Sequence, residues 1–189
     1  MKTHKISLLL LLLLGSAGVA FAQRGDYDIS AILPAVVHTP QYAGTFDNKP
    51  GPKIGEWLQV EVRFQSRPDL TDELTFKYYI LFSGQVLAGE VTHVNIPKGR
   101  ELFSVMYLSP NTIARLLGNH PLTGAEIENV GIQILNKGEL VAEKSFKPTG
   151  TAEWWQQAQQ VTGLILNKNE TPFAPLYWDK YEAIKPPSH

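Results

Sequence analysis

The stretch WLQVEVRFQSRPDLTDELTFKYYILFS, residues 57–83, decides the fold class. Leu58, Val60, Val62 and Phe64 are apolar, and Gln59, Glu61, Arg63 and Gln65 between them are polar. Leu74, Phe76, Tyr78, Ile80 and Phe82 then share one parity. Side chains alternate faces along a strand, so each run carries one apolar face and one wet face. An apolar face of this kind must be buried against a second layer, which predicts a two-sheet β sandwich.

Outward from this stretch, further strands follow. Before it, Tyr27, Ile29, Ala31 and Leu33 alternate, and Pro34 marks that strand as an edge strand or one that changes sheets. Residues 39–55 hold three prolines and three glycines and read as a long loop, ordered only if Tyr42 and Phe46 pack down. After the first run, residues 66–72 read as a turn. Ser83-Gly84 is a tight-turn pair, and residues 85–96 return as the hairpin partner. The parity slips near Gly89 to Val91, which predicts a bulge. Pro97-Lys98-Gly99 reads as another turn, and Leu102 to Leu108 as a strand covered on both faces.

Ser109-Pro110 opens a short helix that Gly118 stops, a plausible crossover. Val130 to Ile134 and Leu140 to Phe146 form a last hairpin around Gly138. The sum is about seven strands in residues 23–148, in an order that suits an immunoglobulin or fibronectin type III topology. Of the edges, the first strand, with its Pro34, reads as guarded and the strand 140–146 as open, unless the C-terminal segment closes it.

Residues 149–189 differ in character. Thr151 to Gln160 is good helix material, and Thr171 to Tyr181 is rich in proline and aromatics. Trp154, Trp155 and Trp178 all lie here. So aromatic a segment predicts a tail folded back onto the sandwich rather than a disordered one.

Residues 1–22 have the three parts of a secretory signal. Lys2 and Lys5 are followed by an apolar run, Ile6 to Leu14, and then by Ala20-Phe21-Ala22. The apolar run falls well short of the roughly 20 residues needed to span a bilayer. This predicts an exported chain starting at Gln23, periplasmic or at the cell surface, with no transmembrane segment in the mature protein. The sequence has no cysteine, so the fold holds without disulfides. Loss of the two leader lysines leaves a slightly acidic chain without a basic block, which argues against nucleic acid as a partner.

The chemistry-bearing motifs are few. Arg24-Gly25-Asp26, just past the expected cut, is the integrin-recognition tripeptide, although three common residue types coincide often by chance. Trp154, Trp155, Tyr177 and Trp178 can stack sugar rings, or can simply cover the core. Asp69, Asp72 and Glu73 cluster in a turn without the spacing of a calcium loop. The histidines show no metal-ligand spacing, and there is no nucleophile elbow, phosphate loop or cysteine nucleophile. The expectation is a non-enzyme without metal or cofactor.

The last hairpin and the tail carry a resemblance. Val130-Gly131-Ile132-Gln133-Ile134, the Trp154-Trp155 pair and the run Thr171 to Glu182 resemble small exported immunoglobulin-like proteins of verrucomicrobial gut bacteria, encoded with type IV pilus-like genes. The resemblance covers most of the mature chain. It implies an accessory or surface role in pilus assembly, adhesion or host contact. The partner would be an envelope or pilus-system protein, or alternatively a host surface protein or a mucin-type glycan held by the aromatic tail.

Overall fold

A computed structural model describes residues 25–42, 55–118, 120–148, 153–177 and 179–187. The expected leader, Phe46, Arg24, Thr151 and Trp178 lie outside them. The fold is the all-β, two-layer, seven-strand sandwich expected of an immunoglobulin-like chain, with one α-helix.

The strands are β1 (Tyr27–His38), β2 (Glu56–Phe82), β3 (Gln85–Leu108), β4 (Ile127–Asn136), β5 (Glu139–Ser145), β6 (Gln160–Thr162) and β7 (Ile165–Asn167). β2 and β3 are long enough to serve both layers. The first half of β2 pairs with β1 and with the second half of β3, which in turn pairs with β7. The second half of β2 pairs with β4 and with the first half of β3. β5 extends that layer on the β4 side and β6 on the β3 side. One sheet thus folds over on itself, and the alternating residues of residues 57–83 meet across the fold. Phe64 and Phe76 lie 4.8 Å apart edge to face, inside a core that also holds Val60, Val62, Tyr78 and Ile80.

Two expected turns are therefore corrected to bends. Around residues 66–72 and 97–99 the ladder persists, with Ser66 opposite Gly99 and Leu70 opposite Pro97, and register shifts lie between them. The strand count agrees with the expectation because the two fusions are offset by β6 and β7 in the tail. The bulge expected at Gly89 to Val91 is also corrected, since pairing with β2 runs unbroken there. The parity seemed to slip because Val86 and Ala88, on the outward face, are buried too. The true hairpin turns are tight. Ser83 and Gly84 have φ of 47° and 76°, and Lys137 and Gly138 have 50° and 85°, both pairs in the left-handed region that two-residue hairpins need.

α1 (Pro110–Leu117) starts and stops as its sequence dictates. The Ser109 hydroxyl accepts from the Thr112 N–H at 3.2 Å, and Gly118 takes φ 59° at the C-terminus. Ile113 and Leu117 bury the inner face in the main core.

The tail departs most from expectation. Instead of a helix over 151–160 there is a single 3-10 turn, Trp154–Gln157, opened by Glu153 in a left-handed conformation, and β6 begins at Gln160. The reason is a docking contact. Trp155 lies flat on Tyr79, with rings 4.8 Å apart and 4° from parallel, and over Gly131, where a Cβ would come within 2.2 Å of the indole. A continuous helix is forgone for that contact, a tertiary override of local propensity.

Candidate functional site

The tail runs along β3 and closes its outer edge. β6 pairs in parallel with Val86 to Ala88. Further along, the N–H of Val94 donates to Ala183 at 2.9 Å and that of Lys185 to Thr92 at 2.8 Å, while His93 and Ile184 form a bridge. The N–H of Glu182 donates to Phe103 at 3.2 Å, and β7 pairs antiparallel with Met106 to Leu108. Three pieces of one segment thereby satisfy backbone groups that would otherwise form an open edge.

Side chains lock this strap at three places. Trp155, 1% exposed, anchors its start, with Trp154 edge-on at 5.3 Å and donating Nε1–H to Ser145 Oγ at 3.2 Å. Phe173 stacks on Tyr107 at 4.6 Å and meets Trp57 edge to face at 5.5 Å. Near the C-terminal end, the buried Glu61 carboxylate accepts from Lys180 Nζ and from the Tyr181 hydroxyl, each at 2.6 Å. Burial and the Glu61 charge raise the Tyr181 hydroxyl well above the ordinary tyrosine value.

Beneath the strap lies a buried polar chain. The Tyr78 hydroxyl donates to Ser104 Oγ at 2.7 Å, and Ser104 Oγ lies 2.7 Å from His93 Nε2. His93 Nδ1 is 3.0 Å from the Glu182 carbonyl. Since Ser104 receives from Tyr78, its own proton goes to Nε2, and the imidazole proton sits on Nδ1, facing the carbonyl. Burial lowers the His93 pKa to about 4, so the ring is neutral at physiological pH. The chain looks like the serine–histidine pairing of hydrolases, but every member is spent on joining the two layers to the tail.

The other flank of the sandwich is different. The start of β1 lies against β5, where Lys144 Nζ donates to the Ile29 and Ser30 carbonyls, each at 2.9 Å. The Asn136 amide donates to the Tyr27 hydroxyl at 3.3 Å, and that hydroxyl also meets Thr71 Oγ1 at 3.0 Å. The edge ranking expected from the sequence is thus reversed. β5, read as the open strand, lies against the start of β1 and meets the tail at Ser145 through Trp154, although Leu140 and Phe146 keep exposed side chains. β1, read as guarded, pairs with β2 alone, and from Ile32 to His38 no other strand meets it among the described residues. This free segment, Ile-Leu-Pro-Ala-Val-Val-His, has no acidic residue, lysine or arginine, and Leu33 and Val36 are 41% and 38% exposed. Pro34 stays in register opposite Val60, as a proline can when its nitrogen faces away from the ladder.

The residues singled out from the sequence are not brought together. Trp155 is core and Trp154 half-buried, while Tyr177 is 64% exposed. Gly25 and Asp26 are exposed, but their backbone is pinned to the β2 bend: Arg67 donates its backbone N–H to the Asp26 carbonyl at 2.9 Å and its guanidinium to the Gly25 carbonyl. Asp69 and Glu73 do not gather around a shared point with Asp72. Asp69 faces Lys98, Glu73 faces Lys185, and no acidic or histidine cluster fit for a metal occurs among the described residues. No helix among them is long and apolar enough to cross a membrane. The site missed by sequence reasoning is the β1 edge. Its signal was available in the uncharged run from Ala31 to Val37.

A disulfide-free sandwich whose own C-terminal segment closes one edge is the class these features define. The chain belongs to a protein family whose model matches residues 18–188. It is similar to a protein from Akkermansia muciniphila known from a crystal structure. The two are 28% identical over 87% of this chain and 96% of that one, with a TM-score of 0.75. None of the curated proteins matches the chain.

Proposed function

We propose that this chain is an exported, non-catalytic accessory protein of the cell envelope, periplasmic or at the surface, that acts by protein–protein contact within a type IV pilus-like system. The observation that carries the reading is the second half of β1, which among the described residues pairs with β2 alone. An uncharged edge with Leu33 and Val36 in solvent is a liability that monomeric sandwiches usually blunt with charge or cover. Such an edge suits addition of an extended strand from another protein, where main-chain hydrogen bonds supply affinity and side-chain pockets supply selectivity. The commitment of His93, Ser104 and Tyr78 to the strap supports the non-catalytic part of the reading.

Glycan binding by the tail gains less support, because Trp155 and Phe173 are engaged in packing and Tyr177 alone presents a widely open ring among the described tail aromatics. Affinity capture from a native envelope fraction tests the proposal. The mature chain should retain a pilus-system or other envelope protein, and Val36→Lys should release it. Recovery of no envelope protein, or equal recovery by the variant, would overturn it.

A further inference from the structure

Where β2 and β3 bend together from one layer to the other, the ladder opens. Ser66 faces Gly99 and Leu70 faces Pro97, with register shifts on either side of Ser66. The opening is a cleft of about 630 Å³ lined by Gln65, Ser66, Arg67, Lys98, Gly99 and Arg100. Three of these six residues are cations and none is an acid. We propose that this cleft binds a compact oxyanionic group (sulfate, phosphate or carboxylate), a role separate from strand addition at β1.

Four observations carry the assignment. Arg100 is exposed and its side chain has no hydrogen-bond or ion-pair partner among the described residues, so its guanidinium fork is free to take two oxygens of an oxyanion. Lys98 has one partner, Asp69 at 3.1 Å, with both side chains largely in solvent, an ion pair readily given up. Arg67 is held in place, because its guanidinium donates to the Gly25 carbonyl. Ser66 is 2% exposed, and its Oγ has no hydrogen-bond partner, which is uncommon for a buried hydroxyl in a finished structure.

The surroundings limit the size of the ligand. Glu101 is engaged by Arg63 at 3.6 Å, outside the cleft. Asp28, however, lines the adjoining hollow on the other side of Arg67. A polyanionic strand crossing the bend would run into that carboxylate, whereas a single anionic group seated between Arg67, Lys98 and Arg100 would not.

The test is amide NMR of the full mature chain at ionic strength held constant with sodium chloride. The probes are inorganic sulfate, inorganic phosphate, acetate and a monosulfated monosaccharide. Saturable shifts confined to Ser66, Arg67, Gly99 and Arg100 are expected with at least one probe. Arg100→Glu should weaken that probe at least tenfold, and Lys77→Ala, on β2 away from the bend, should leave it unchanged. Saturation by free ions marks an ion site, and saturation by the sugar sulfate alone marks recognition of a sugar-borne group. Linear or scattered shifts, or an Arg100→Glu variant that binds as the parent does, would overturn the proposal. Arg100 is a surface side chain, so the variant's folding is checked by an unchanged amide spectrum away from the bend.

Discussion

Two outer edges of the sandwich, along β3 and along the second half of β1, present the same backbone chemistry and meet opposite fates. A tail of some thirty-five residues supplies three separate stretches of pairing along β3 and three side-chain locks on residues of β2, β3 and β4. Along the second half of β1 nothing comparable is present among the described residues, and two branched apolar side chains stand in solvent. Unpaired edge groups on either strand would be equally apt to recruit another strand. That one edge is closed by the chain itself while the other is left without a strand among the described residues is the contrast on which the proposed contact at β1 rests. Breaking the locks of the strap should therefore cost folding free energy, whereas altering β1 should cost association.

The largest effect is expected at the start of the strap. Trp155→Ala removes a fully buried indole that lies on the Tyr79 ring and over Gly131, and should lower unfolding free energy by about 3–5 kcal/mol in a urea titration. Gly131→Ala alone should also destabilise, since its methyl would enter the Trp155 ring, yet it should cost little once residue 155 is alanine. Additive losses would show that the two positions do not share the contact.

Next comes the dependence on pH. In the folded chain the His93 pKa is lowered to about 4 from an ordinary value of 6.5. The unfolded state then binds the extra proton first, so this group's contribution is complete above pH 6.5 and fades as pH falls toward 4. The full span amounts to roughly 3 kcal/mol. Glu182, whose carboxyl is raised by burial, acts in the opposite sense, stabilising at low pH and losing that contribution as pH rises through its folded pKa. Replacing His93 with Gln should flatten the slope between pH 6.5 and 4. An unchanged slope would mean that the tail opens and wets the ring before it titrates.

Glu61→Gln is expected to cost about 1.5–3 kcal/mol, because the carboxylate accepts hydrogen bonds from both Lys180 and Tyr181. Hydrogen exchange should locate the loss, with faster exchange at Glu182 and Lys185, whose amides join the strap to β3, and little change in β1. Uniform acceleration across the sandwich would mean that the strap and core unfold as one unit.

The sequence made the core strands readable because alternation reports burial directly, as at Leu58 to Phe64 and Leu74 to Phe82. The cap of α1 and the two tight hairpins were readable because single residues dictate them: Ser109, Gly118, Gly84 and Gly138. What escaped notice depends on partners distant in sequence. Pro68 and Pro97 suggest turns, but pairing between the two bends keeps both strands continuous. Residues 151–160 have helical propensity, yet Trp155 is drawn onto a surface more than twenty residues away. Gly131 did carry a signal, since an isolated glycine within a strand marks a close approach. Pro34 alone does not rank the edges, because whether an edge is bare depends on what the rest of the chain covers.

The smallest effect on stability is expected at the edge proposed for contact. Leu33 and Val36 already lie partly in solvent, so changing both to Lys should shift unfolding free energy by no more than about 0.5 kcal/mol. The same pair of charges should protect the edge in the way natural sandwiches do, because an added strand would have to bury them. Parent and variant would then have matching urea curves but would differ in association. Slowed exchange of the β1 amides in the presence of the captured envelope protein should appear for the parent and vanish for the variant. Were the amides of β5 to gain protection instead, the contact would belong to the flank where Leu140 and Phe146 remain exposed, and the contrast between β3 and β1 would no longer locate the interface.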